Sequence, residues 1–355
     1  MDRPVGRPYG RDRAIPPTSG ATIMKIALNG ASGYTGRLAV AELARRDIDA
    51  VLVGRDRERL RTAVAGTDFE IRIADVTDPD ALETAFADVD AVVNTAGPFA
   101  RLGAPVVRAA IAAGAHYVDT TGEQQYVNEI FETFADAAGD AGVTVVPATA
   151  DDGGPSDFIG HLVGEATTAV DTMTVALWYR DGGFSRGTIR SLDAGLLFDG
   201  ALRFENGAWT TYGEPARTTW LFPGADAPVG VSKAALPPVA TVPRHVPVRR
   251  MEGLLGGEFD ELKAGIDPAV VEALPDGPGA RSGSRGSGRS PWRRPGSAGA
   301  ASSARSTAPT ATAPPPRSPW RRRAGSWWTG RRPGCWRRRR PSTRSPSWGS
   351  SPAAG

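Results

Sequence analysis

Short apolar runs alternate with longer amphipathic stretches from Met24 to about Ala150, the rhythm of repeated βαβ units. Lys25–Asn29 reads as a first buried strand, and a helix is expected over about Thr35–Arg46 with Leu38 and Leu43 on its apolar side. AVLVG gives a second strand ending at Gly54, Arg57–Ala65 a second helix, and FEIRIAD a third strand closing at Asp75. Asp78-Pro79 supplies an N-cap and a proline at the first helical position, so a third helix should run to about Ala87. Ala91–Gly97 is the fourth strand with its loop, Ala104–Ala113 a helix, HYVDTTG the fifth strand, Val127–Ala141 a helix and VTVVPAT the sixth strand. The strands are apolar without alternation. Both of their faces are therefore covered by helices, and the sheet is expected to be parallel.

The texture changes after Asp151. Asp171–Arg180 mixes polar and apolar positions, as a strand with one wetter face does, and GGFSRGTIRSLDAGLL reads as a glycine loop feeding a helix. Leu202–Arg249, rich in Pro and Gly, offers only weak strands. The expected class is α/β: a Rossmann-type doubly wound parallel sheet over 24–150, followed by a smaller, incomplete α+β domain over 151–276.

Charge divides the chain sharply. Gly277–Gly355 holds 17 Arg and no acid, whereas Met1–Asp276 holds 25 basic against 39 acidic residues, so a body of charge −14 precedes a tail of +17. That tail has no Leu, Ile, Val, Met, Phe or Tyr but six of the nine tryptophans, and so offers little to set against chain entropy. Disorder is expected over 277–355. Its Arg, Gly, Ala, Pro and Trp are what a GC-rich gene yields out of frame, so a frameshift near codon 277–285 is expected, against a natural basic low-complexity segment. Residues 1–23 read as a disordered leader, with Met24 as the expected start. The single cysteine, Cys335, forms no intrachain disulfide, and no run of about 18 apolar residues occurs, so a cytoplasmic protein is expected.

The strongest chemical signal is Gly30-Ala31-Ser32-Gly33-Tyr34-Thr35-Gly36, which follows a strand and opens a helix. Glycines there let backbone amides approach a pyrophosphate at a helix N-terminus, and Ser32 and Thr35 can add hydroxyl hydrogen bonds. Arg55 lies 19 residues beyond Gly36. An arginine at that place suits the 2′-phosphate of NADP, while Asp56 beside it can reach the ribose of NAD, so NADP is favoured with NAD possible. Asp75 either meets the adenine amino group or caps a turn. Asn94, Thr95, Gly97 and Pro98 end the fourth strand on the edge where ligands sit in open parallel sheets, and are assigned to the cofactor. Asp119 and Glu123 end the fifth strand on the same edge, suited to a polar substrate or a proton, although Glu123 can instead cap the next helix. Asp152 and Ser156 follow the sixth strand and border an inter-domain cleft, where ligands often bind but where Ser and Asp also cap helices. His116, His161 and His245 show no mutual spacing for a metal, and none is expected. No catalytic residue is singled out, because hydride transfer needs no covalent protein partner.

ALNGASGYTGRL, VGRDRERL, NTAGPFARLGAPVVRAAIAAGAHYVDTTGE and the PSDF after the sixth strand together resemble the saccharopine dehydrogenase NADP-binding family, nearest its trans-acting enoyl reductase-like branch. The resemblance covers about Met24–Asp276. It implies NAD(P)-dependent redox chemistry on a C=C or C=N bond of a small molecule or lipid. Members carry a Gly-Phe-Asp-Ser type sequence before Pro-Ser-Asp, where this chain has Asp151-Asp152-Gly153-Gly154. Two other readings stand beside the oxidoreductase: a dinucleotide-binding protein impaired in turnover, and nucleic-acid binding through the Arg/Trp tail.

Overall fold

The computed structural model describes residues 24–167, 169–179, 185–193, 195–196, 198–257, 271, 277 and 300–307. The expected leader 1–23, and the tail 277–355 apart from Gly277 and 300–307, lie outside the described residues, and with them the frameshift expectation.

The first sheet is built from β1 (Ile26–Asn29), β2 (Ala50–Gly54), β3 (Glu70–Ile73), β4 (Ala91–Asn94), β5 (His116–Asp119) and β6 (Val145–Val146). Their order is β3-β2-β1-β4-β5-β6 and every pairing is parallel. The strand order reverses between β1 and β4, the place where a doubly wound sheet opens a crevice at its C-terminal edge.

Alternation along each strand supplies two cores at once. Ala27, Val51, Val53 and Val92 face one side, packed with Leu82, Phe86, Val106 and Ile130 from the helices. Leu28 and Leu52 face the other with Val40 and Leu60. Each fully buried Leu or Phe stabilises by roughly 1.5–3 kcal/mol, which is why so short a set of strands holds. The helices are α1 (Tyr34–Arg45), α2 (Arg57–Ala63), α3 (Pro79–Phe86), α4 (Phe99–Ala112) and α5 (Gln124–Ala141). Asp56 and Asp78 cap α2 and α3 through their carboxylates, the latter as the Asp-Pro pair predicts. Helix α4 starts five residues before the expected Ala104. Gly103 lies inside it, at the close-packing position where the Tyr126 ring lies against the helix.

After α6 (Gly154–Glu165) the chain enters a second, mixed sheet. Its strands are β7 (Val170–Tyr179), β8 (Leu202–Glu205), β9 (Ala208–Thr211), β10 (Thr219–Trp220), β11 (Val229–Lys233), β12 (Val248–Gly256) and β13 (Ala300–Thr307), with α7 (Arg186–Asp193) and α8 (Pro238–Thr241) between them. The long β7 and β12 run parallel in its centre, and β8 and β9 form a hairpin around Asn206-Gly207. Both turn residues have positive φ (50° and 92°), as a two-residue hairpin turn requires. The nine-residue β12 extends past the region read as weak strands.

Within the stretch expected to be disordered, Ala300–Thr307 forms β13 and pairs antiparallel with Thr172–Tyr179 of β7. The physical reason is the open edge of β7. Unpaired backbone N–H and C=O groups accept any extended partner, whatever its side chains.

Helix α5 joins the two sheets. The buried amide of Gln124 donates to the Leu202 and Leu236 carbonyls (3.1 and 3.0 Å) and accepts from Leu202 N (2.7 Å). Arg244 lies between the rings of Phe131 and Trp209, 4.1 and 4.5 Å from their centroids, and donates to Asn128.

Candidate functional site

The loop from Gly30 to Gly36 sits at the switch point, and its glycines have different jobs. Gly30 has φ +80°, and a side chain there would meet the Ala96 amide nitrogen at 2.8 Å, so it lets the loops after β1 and β4 touch. Gly36, inside α1, lies on the loop backbone. A Cβ would strike the Gly30 carbonyl and come within 2.7 Å of Ala31 Cα. Gly33 differs from both. It is the N-cap of α1 with φ −73°, a conformation any residue adopts, and a Cβ would meet only the Gly30 oxygen at 3.3 Å. The fold therefore demands Gly at 30 and 36 but not at 33, where the missing side chain leaves the helix N-terminus open. Ser32 and Tyr34 are half-buried beside it, and Thr35 is exposed. The Ser32 carbonyl accepts from Arg37 Nη1 at 2.8 Å, fixing the loop from beneath. Such an open helix start fits an anion such as a pyrophosphate.

At the end of β2, Asp56 caps the following helix through one carboxylate oxygen. Its carboxylate accepts from the amides of Glu58 and Arg59 (3.0 and 3.1 Å), closing the first turn of α2. Arg55 is exposed, and among the described residues no hydrogen bond or ion pair engages it. An exposed arginine at this place suits a 2′-phosphate. Asp75 accepts from both the amide and the hydroxyl of Thr77 (2.9 and 2.7 Å). Those bonds, with Arg55 nearby, hold its carboxyl below the usual range despite partial burial. Both bonds fall on one carboxylate oxygen, which caps the turn.

Several polar residues read as ligand-facing point inward instead. Asn94 is fully buried; its Oδ1 accepts from Asn29 Nδ2 and the Ala96 amide, and its Nδ2 donates to the Tyr117 hydroxyl. Asp119 is also fully buried, accepting from the amides of Thr121 and Ala148 (3.1 and 2.8 Å) and from the Tyr117 hydroxyl (3.0 Å). Burial outweighs those bonds and pushes its carboxyl up to about 6. Tyr126 completes this network, 3.1 Å from the Tyr117 oxygen. Glu123 caps a helix, though not the next one. Its carboxylate accepts from Phe99 N (3.0 Å) and Ala100 N (2.6 Å) at the start of α4, and from Ser191 Oγ (3.0 Å) on α7. These residues set the shape of the edge from below. Thr95 likewise donates its hydroxyl to the Asn29 carbonyl (2.9 Å), while Gly97 and Pro98, joined by a cis peptide bond, lead into α4. Ser156 is buried in the first turn of α6.

Asp152 remains at the edge. Its carboxylate packs on Gly122, just past β5, so closely that a Cβ at 122 would strike it. Burial, and then the charge of Asp151, push its carboxyl up to about 7 against the pull of the amides of residues 152 and 153. Asp151 accepts from the Tyr179 hydroxyl at 3.1 Å, and burial raises the Tyr179 phenol well above its ordinary value. Two carboxyls and a tyrosine thus gather where the first sheet meets the end of β7. Tyr179 carried no signal in the sequence beyond ending a strand. Among the described residues no group of three or more His, Cys, Asp or Glu suits a metal, and no helix is long and apolar enough to cross a membrane.

Residues 15–146 match the family profile described as the saccharopine dehydrogenase NADP binding domain. A Mycobacterium tuberculosis protein with the provisional name trans-acting enoyl reductase is 36% identical over 180 residues, 47% of this chain and 43% of its own length. A trans-acting enoyl reductase of Mycobacterium ulcerans is 34% identical over 144 residues, 39% of this chain and 34% of its own. The chain spans less than half the length of these relatives. Among solved structures, a saccharopine dehydrogenase (L-Glu forming) from Saccharomyces cerevisiae aligns at 18% identity and TM-score 0.46, covering 65% of this chain and 54% of that one.

Proposed function

We propose, from the match of residues 15–146 to the saccharopine dehydrogenase NADP binding domain, that the chain is an NADPH-preferring reductase of a C=C or C=N bond. The observation that carries the cofactor preference is Arg55 at the end of β2, exposed and with no hydrogen bond or ion pair to it among the described residues, beside an Asp56 that caps α2. The open helix start at Gly33 takes the pyrophosphate, and Arg55 takes the 2′-phosphate.

The dinucleotide supplies a hydride to one atom of the double bond, and the electron pair of that bond leaves the other atom in need of a proton. Asp152 is this chain's candidate donor, since it lies at the C-terminal edge of the sheet and holds a proton near neutral pH. Burial and then the charge of Asp151 keep that carboxyl protonated, and Tyr179 donates its hydroxyl to Asp151. The names of the mycobacterial relatives favour an enoyl group, a C=C conjugated to a carbonyl, as the acceptor.

Calorimetry tests the cofactor assignment. Arg55→Ala should weaken NADPH more than NADH by roughly 1–3 kcal/mol, the worth of a charge-assisted hydrogen bond. Equal losses for the two would remove Arg55 from the role.

A further inference from the structure

Two histidines that lie 84 residues apart in sequence meet on the surface. His161, near the end of α6, and His245, just after the 3-10 turn Val242–Arg244, place their Nδ1 atoms 3.4 Å apart. Their ring centroids are 5.4 Å apart, so the two nitrogens face one another rather than stacking. The opposite nitrogens are each held by a carboxylate. His161 Nε2 is 3.3 Å from Glu165 Oε1, and His245 Nε2 is 3.2 Å from Asp157 Oδ2.

Each carboxylate stands beside the outer nitrogen of its ring, and Asp157 also accepts from the Thr241 hydroxyl. With both Nε2 atoms turned to carboxylates, the two Nδ1 atoms are left facing one another across a 3.4 Å gap.

The geometry points to a two-histidine site for a divalent metal of the zinc type, with His161 and His245 as the ligands through Nδ1. A tetrahedral zinc holding imidazole nitrogens at about 2.05 Å sets them about 3.4 Å apart. The carboxylate behind each ring is the usual partner of a metal-bound histidine, fixing its orientation and raising its basicity. The rings are partly exposed, with side-chain exposures of 49% and 37%, so water or an external anion completes the coordination. Bound metal would tie α6, the helix that follows directly on Asp152, to the segment after α8. A single proton shared between the rings is the competing occupant.

Zinc chloride titrated into the metal-stripped full chain, in a Cys335→Ala background, decides between the two. Calorimetry should show one Zn²⁺ bound with micromolar affinity. His161→Gln and His245→Gln should each weaken it at least tenfold, and Asp157→Asn severalfold, because Asp157 acts only through His245. His116→Gln should change nothing, since that ring accepts from the Thr144 amide elsewhere (3.0 Å). Circular dichroism confirms that the surface variants stay folded. No saturable Zn²⁺ binding by the parent chain, or affinity unchanged from the parent in both histidine variants, would overturn the site and leave the proton as its occupant.

Discussion

Two glycines three residues apart should answer differently to the same methyl group. At Gly36 a Cβ runs into the Gly30 carbonyl and stands 2.7 and 2.8 Å from Ala31 Cα and C, all backbone, so no rotamer change relieves the clash. Gly36→Ala should cost about 1–3 kcal/mol or more, the usual penalty for overpacking. For a domain of this size the unfolding midpoint then drops by roughly 2–4 °C per kcal/mol. At Gly33 the φ of −73° suits alanine, and the one close atom is the Gly30 oxygen at 3.3 Å. Reduced freedom of the unfolded chain contributes about 0.4–1 kcal/mol in favour of alanine there, which offsets that tight contact. Gly33→Ala should therefore unfold within a degree or two of the parent while losing NADPH affinity at least tenfold, about 1.4 kcal/mol. Thermal unfolding and calorimetry on the two variants give both numbers. Equal destabilisation, or intact NADPH affinity in Gly33→Ala, would refute the claim that Gly33 is kept open for a ligand.

Other outcomes follow from the buried acids. Glu123→Ala orphans the amides of Phe99 and Ala100 and should cost about 1–3 kcal/mol for each in chemical denaturation. Asp119 has a folded value of about 6, above its ordinary 3.8, so the fold favours the protonated form. Its contribution to stability is present at acid pH and is lost as pH rises from about 4 to 6, by up to about 3 kcal/mol. The difference between parent and Asp119→Asn stability curves should show that limb, and parallel curves would contradict it. Asp151→Asn should lower the Asp152 value from about 7 by removing a like charge, read by carbon-13 NMR of the carboxyls.

The first sheet was legible because apolar runs covered on both faces leave little room for error, and each of its six strands falls inside its expected segment. The second was harder. Its strands have one wet face, and β7 and β12 pair across nearly 80 residues, which no local pattern reveals. Asn206-Gly207 was a readable hairpin signal within the stretch taken as weak strands. In the site, the sequence showed which residues stand at strand ends but not which way they turn. Asn94, Asp119 and Glu123 were assigned to ligands, yet each is turned inward, because buried backbone amides and the Tyr117 hydroxyl required acceptors. Asp152 and Tyr179 meet only through the approach of the two sheets, and His161 meets His245 only through the packing of α6 on the segment after α8.

The account rests on a dinucleotide site built for NADPH. Calorimetric titration of the purified full chain with NADPH and then NADH tests it most directly. One NADPH should bind, at least tenfold more tightly than NADH. Binding of neither nucleotide, or NADH binding as tightly as NADPH, would contradict the account.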